Sequence, residues 1–120
     1  MKEVRLHVAS IDDFFAGAAA AGRKVDEGDF SEQAGIIAFE NMEVLLAVLT
    51  ANRWQLLRQL RKEGPTSIRH LSQSLKRDYR AVHADVHALM VTGLIERNDR
   101  GLISVPWERI TAEMAIDLAA

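Results

Sequence analysis

Residues 78–92, DYRAVHADVHALMVT, constrain the fold more than any other stretch of the chain. Val82, Val86 and Leu89 recur at intervals of four and three, the spacing that gathers side chains on one face of a helix held against a small core. Tyr79, Arg80, His83 and His87 fall on the other face. The Asp78 carboxylate is placed to accept from the orphan amides of the first turn, and Gly93 to supply the left-handed residue that ends the helix. A helix of this kind must lie on a core and turn its polar face outward.

The flanking residues give that helix its setting. Ser67 to Leu75 (SIRHLSQSL) reads as a shorter helix, with Ser67 as N-cap and Ile68, Leu71 and Leu75 inward, and Lys76-Arg77-Asp78 turns the chain. A short helix, a tight turn and a longer helix with a polar face is the helix-turn-helix arrangement, whose second helix enters the major groove of DNA. Beyond Gly93, Leu94 to Arg97 and Leu102 to Val105 flank Asn98-Asp-Arg-Gly101. Two apolar runs about such a segment predict a hairpin, with the loop at three or four residues and the turn type open. A hairpin directly behind a helix-turn-helix is a wing.

The charge is divided along the chain. Residues 1–50 hold 4 Lys/Arg against 9 Asp/Glu, residues 51–100 hold 10 against 5, and residues 101–120 hold 1 against 3. Positive charge therefore collects on the segment with the expected DNA reader, as phosphate contact requires, although the overall net charge is −2. At 120 residues and 48% hydrophobic content the chain suits one globular domain with an extension, able to bury a core without staples. It has no cysteine, which excludes disulfides and thiol chemistry. No apolar run reaches the length of a membrane span, and Met1 to His7 lacks the apolar centre of a secretory signal, so a cytoplasmic protein with no membrane partner is expected. A glycine-rich phosphate loop and a serine elbow are also missing, and no enzyme or cofactor is expected.

In chain order, Val4, Leu6 and Val8 alternate with Arg5 and His7 as in a half-buried strand. Ser10 is placed to cap a helix to about Lys24 with Ile11, Phe14, Phe15 and Ala18 on its apolar face, and Asp26 to Glu32 reads as an acidic loop carrying Phe30. Gly35 to Glu40 predicts a second strand. Asn41 is expected to cap a helix from Met42 to Leu49, and Thr50 one from Ala51 to Glu63. The latter would put Trp54, Leu57 and Leu60 inside and Arg53, Arg58, Arg61 and Lys62 outside, with Gly64-Pro65 ending it. Ile110, Ala112, Met114, Ile116 and Leu118 alternate as in a terminal strand against residues 4–8 or 36–40, while 111–116 also carry helix propensity. The expected class is α+β: an N-terminal β-α-β extension for dimerisation or partner binding (1–40), a winged helix-turn-helix (41–106), and a C-terminal strand packing on the extension (107–120).

The stretches 49–60 (LTANRWQLLRQL), Gly64-Pro65, Ser67 to Leu71, Arg77 to Val86, Leu89, Gly93 to Arg97 and Val105-Pro106 resemble the small prokaryotic MarR-like winged-helix proteins known as predicted transcriptional regulators. The resemblance covers roughly residues 35–118, and the first strand and helix have counterparts in that group. Its most specific part is the Arg-Asp-Tyr-x-x-Val-His-x-Asp-Val stretch from Arg77 to Val86; the Gly-Leu-Ile-Glu-Arg run is common to many winged-helix families. It implies binding to double-stranded operator DNA as a homodimer, with repression of the protein's own operon. Some members are thought to act as antitoxins beside a small toxin, which would make a cognate toxin a partner. Where such helices carry long basic side chains in the middle, this one has Ala81, Ala84 and Ala88 with His83 and His87, so guanine readout is not expected there.

Arg80, near the helix start, is best placed for the bidentate fork to guanine O6 and N7. Tyr79, His83 and His87 could add polar contacts and Ala84 could meet a thymine methyl, while Ser67, Arg69, Lys76 and Arg77 sit where phosphates would be held. Arg97 and Arg100 in the wing could reach the backbone or the minor groove. Two readings compete with this one. His83 and His87, four apart, could chelate a divalent metal in a metal-responsive regulator, with His70 or Glu96 as the nearest third ligand. Otherwise the winged helix is a scaffold that no longer binds DNA, and the chain is a protein-interaction module.

Overall fold

The computed structural model describes residues 2–8, 35–114 and 118. The helix expected from Ser10 to Lys24 and the acidic loop at 26–32 lie outside them. The chain is mixed α and β, and it divides into two compact units, Met1–Leu45 with Glu108–Ala120, and Leu46–Trp107.

In the first unit three strands, β1 (Glu3–Val8), β2 (Gly35–Phe39) and β5 (Arg109–Glu113), form a parallel sheet in the order β2-β1-β5. β1 is central, with Leu6 opposite Ile37 on one side and Ala112 on the other. The alternation read from its sequence holds from Val4 to Leu6, with Val4 and Leu6 fully buried and Arg5 exposed, and is lost at the strand's end, where Val8, expected inward, is 37% exposed and His7 is half-buried. Arg5 pairs with Glu113 at 2.9 Å across the open face, a bridge that solvent screens to about 0–1 kcal/mol. The terminal strand thus pairs with residues 3–7, and it is strand rather than helix as far as Glu113. Helix α1 (Met42–Val48), whose first residues to Leu45 belong to this unit and the rest to the second, stops one residue short of the expected end; the Asn41 side chain accepts from Val44 N at 2.9 Å, and only Leu45 of this helix is buried.

The second unit contains α2 (Ala51–Glu63), α3 (Ile68–Leu75), α4 (Tyr79–Thr92) and a hairpin of β3 (Glu96–Arg97) and β4 (Ile103–Ser104). Each helix starts where a side chain can satisfy a free amide. Thr50 accepts from Arg53 N, Ser67 from His70 N and Asp78 from Ala81 N, at 3.3, 3.1 and 3.2 Å. Gly93, at φ 90°, ends α4, and its N–H points to Leu89 O and Met90 O. The core that these helices share is Leu56, Leu57, Leu60, Leu71, Val82, Val86, Leu89, Leu94, Ile95 and Ile103, none more than 2% exposed. Burying one such side chain contributes about 1.5–3 kcal/mol. Leu56 takes the inward place that the sequence pattern assigns to Trp54, which is half-buried.

The hairpin is short but well tied. Ile103 also bridges Thr66, exchanging bonds of 3.0 and 2.8 Å, so a third segment lies beside β4. The loop is three residues: Asn98 N donates to Leu102 O, and Gly101, at φ 79°, donates to Asn98 O. The Asn98 side chain accepts from Arg100 N and Leu102 N, which fixes the tip from inside. Behind the hairpin, Trp107 Nε1 donates to Gly93 O at 3.1 Å.

Candidate nucleic-acid interface

The buried stripe of α4 fixes which residues face out. Arg80, Ala84, His87 and Val91 follow one another at intervals of four, three and four, opposite Val82, Val86 and Leu89, and all four are exposed. No carboxylate lies on this strip. Tyr79 and His83 flank it: their rings lie 5.8 Å apart, and the His83 and His87 rings 4.2 Å apart. Tyr79 also receives Arg69 of α3, whose guanidinium carbon stands 5.2 Å from the ring centroid, within the range of a cation–π contact. A stack thus runs from Arg69 along the side of α4.

The cations divide into two sets. Among the described residues, no ion pair engages Arg69, Lys76, Arg80, Arg97 or Arg100. Arg77 differs. Its Nη2 donates to Asp85 Oδ2 at 2.9 Å, and its side chain is 23% exposed, so the phosphate contact expected of it is replaced by an internal ion pair. Arg53, expected outside, donates from Nε to the other Asp85 oxygen at 3.1 Å and from Nη1 to Ala47 O and Val48 O. Arg61 is exposed as expected, and its Nη1 donates to Val105 O at 3.0 Å. Asp85 thus clamps α4 to α2 and to the turn before α4. Neither Asp85 nor Arg53 was expected to matter; the available signal was one acid beside the buried stripe of a helix whose flanks are basic.

The turn holds a cation under mild strain. Lys76 is the one described non-glycine residue at positive φ, at φ 54° and ψ 44°. That conformation costs an L-residue about 1–2 kcal/mol relative to the right-handed region, and glycine would relieve it. Ser67 stands at the start of α3, its hydroxyl oxygen occupied as the cap but its proton free to donate. In the hairpin Arg97 lies over Gly101, and Arg100 projects at the tip beside Asp99, all but Gly101 exposed.

A metal reading of the histidine pair finds little support in this geometry. The two rings face each other at 4.2 Å with a tilt of 36°, and among the described residues no group of three or more His, Asp or Glu side chains that could hold a metal ion gathers anywhere. No described helix is long and apolar enough to cross a membrane.

The family model HVO_A0114 matches residues 48–112, which is 65 of the 120 positions. The chain belongs to the HVO_A0114 family. The matched segment includes the whole exposed strip of α4, the Asp85 clamp, the hairpin and most of β5, so what defines HVO_A0114 lies chiefly in the second unit. No curated protein and no solved structure matches the chain.

Proposed function

We propose that the second unit of this HVO_A0114 member is a winged helix-turn-helix of the MarR-like kind, and that the protein is a sequence-specific DNA-binding regulator. α4 is the recognition helix, the β3–β4 hairpin is the wing, and the protein acts as a homodimeric repressor of its own operon. The observation that carries the reading is the division of charge around α4. The one acid in the body of that helix is tied to Arg53 and Arg77, while Arg80, at the N-terminal end of a strip without carboxylates, has no ion pair among the described residues. Recognition helices contact base edges from their N-terminal residues, and arginine to guanine is the commonest specific pair.

The other positions fit supporting roles. Lys76, Ser67 and Arg69 surround the turn, where phosphates fix register without reading sequence. Lys76 places a cation at the turn in a backbone conformation that favours glycine. Arg97 and Arg100 reach flanking DNA from the wing. A dimer follows from the small number of base pairs that one helix can read, since a two-fold repeat matches a palindromic site. Ile36, 62% exposed on an edge strand, is an apolar position suited to such a contact. The antitoxin role rests on the family resemblance alone; it would add a protein partner to the same molecule.

Hydroxyl-radical footprinting of the DNA upstream of the protein's own gene tests this reading. Two protected stretches about 10 base pairs apart, or a multiple of that spacing, are expected. A uniform cleavage ladder at saturating protein contradicts it and leaves the protein-interaction module as the reading of the chain.

A further inference from the structure

The far end of the exposed strip holds a residue that neither the fold nor the arginine contact explains. Val91 is 88% exposed, whereas Val82 and Val86 on the same helix are fully buried. Val91 continues the line of Arg80, Ala84 and His87. At a rise of 1.5 Å per residue it stands about 16 Å beyond Arg80 along the axis, or roughly five base-pair steps of 3.4 Å. Water gains nothing from a branched apolar side chain there, and its neighbours one turn back on its own helix, His87 and the small Ala88, leave it uncovered.

We propose that Val91 contacts a thymine C5-methyl group, so that α4 lies lengthwise in the major groove and reads a half-site running from a guanine at Arg80 to thymine at Val91. The proposal rests on the DNA-binding reading above and deepens it. Three observations favour DNA over another occupant. The strip is continuous with Arg80 and bears no carboxylate along its length, so phosphates on either side of the groove are not repelled. Two carbonyls of the last turn of α4, which would oppose DNA if left free, are taken up: Gly93 N donates to Met90 O, and Leu94 N and Thr92 Oγ1 to Leu89 O. And the thymine methyl is the one apolar group that a base pair offers in the major groove, so an isolated valine meets a ligand of its own size.

The test uses the intact protein and its own upstream fragment prepared in two forms, with thymine or with uracil at every thymine position, the latter lacking only the C5-methyl. Affinities by fluorescence anisotropy at one salt concentration are compared for wild type and Val91→Ser, whose unchanged far-UV circular dichroism shows that the exposed substitution leaves the fold intact. Wild type should bind the uracil fragment about fourfold more weakly for each methyl it contacts. Val91→Ser should bind the thymine fragment more weakly than wild type, and its thymine-to-uracil ratio should be about fourfold smaller. Equal ratios in the two proteins, or no discrimination by wild type, overturn the Val91 contact while leaving DNA binding in place. Absence of binding by wild type to either fragment overturns the DNA reading itself, and Val91's role with it.

Discussion

Arg80→Glu should lower affinity for the upstream DNA by about 100-fold without loss of stability. A bidentate arginine–guanine contact discriminates by about 1–3 kcal/mol, and a carboxylate in its place adds repulsion from the phosphates. The fold has no reason to suffer. Arg80 is exposed, takes part in no ion pair among the described residues, and is the second residue of α4. A glutamate in the first turn complements the positive end of the helix dipole, worth about 0.3–1 kcal/mol in favour of folding. Tm should therefore hold or rise slightly while anisotropy titrations show the loss. Unchanged DNA affinity in a folded Arg80→Glu protein removes α4 as the reader and favours a protein-interaction role for the chain. Because the substitution leaves the first unit untouched, it also separates repression from any binding of a protein partner.

Asp85→Ala should produce the largest loss of stability available from one polar residue among those described. Asp85 is 15% exposed and serves Arg53 and Arg77, themselves 19% and 23% exposed. Its removal leaves two largely covered guanidinium groups with no counter-charge, and one Arg77 nitrogen, Nη1, is already buried without a partner. Breaking such a network by removing the shared partner costs about 3–5 kcal/mol when it is fully buried, and about 2–4 kcal/mol at this exposure. Thermal melts should show Tm lower by roughly 10 °C. A loss under about 0.5 kcal/mol would mean that the two arginines find water easily and that Asp85 does not set the position of α4. Asp85→Asn, which keeps the shape and the acceptor but not the charge, should fall between wild type and Asp85→Ala.

The local structure of the second unit was legible because its signals are local. Thr50, Ser67 and Asp78 cap helices through amides three residues ahead, and Gly93 closes α4 by its own backbone; each needs only its neighbours in sequence. The stripe of Val82, Val86 and Leu89 likewise follows from helix period alone. What was missed depends on side chains brought together from a distance. Arg53 and Asp85 are 32 positions apart, so an outward-pointing reading of Arg53 by period gave way to a nonlocal partner, while Arg61 stays exposed and adds a bond to Val105 O, 44 positions away. The place of Arg77 in the turn points to a phosphate contact, but position in the turn indicates where a backbone goes, not what its side chain finds, here Asp85. The terminal strand left two possible neighbours because alternation encodes a buried face but not a partner; β1 is that neighbour, in parallel register. The candidate site was legible to the extent that exposure follows helix period, which singles out Arg80, Ala84 and His87. Val91 was passed over because valine at a helix end is ordinarily assigned to the core.

The central claim, that α4 reads a DNA sequence, is tested most directly by anisotropy titrations of the protein against its own promoter fragment and an unrelated fragment of equal length, each at several salt concentrations. Salt weakens the sequence-independent phosphate attraction in both and so isolates what base contact adds. The account predicts promoter binding at least about 1,000-fold tighter than control binding at physiological salt, with the control falling steeply as salt rises. Equal, weak binding to both fragments, or none to either, would contradict it.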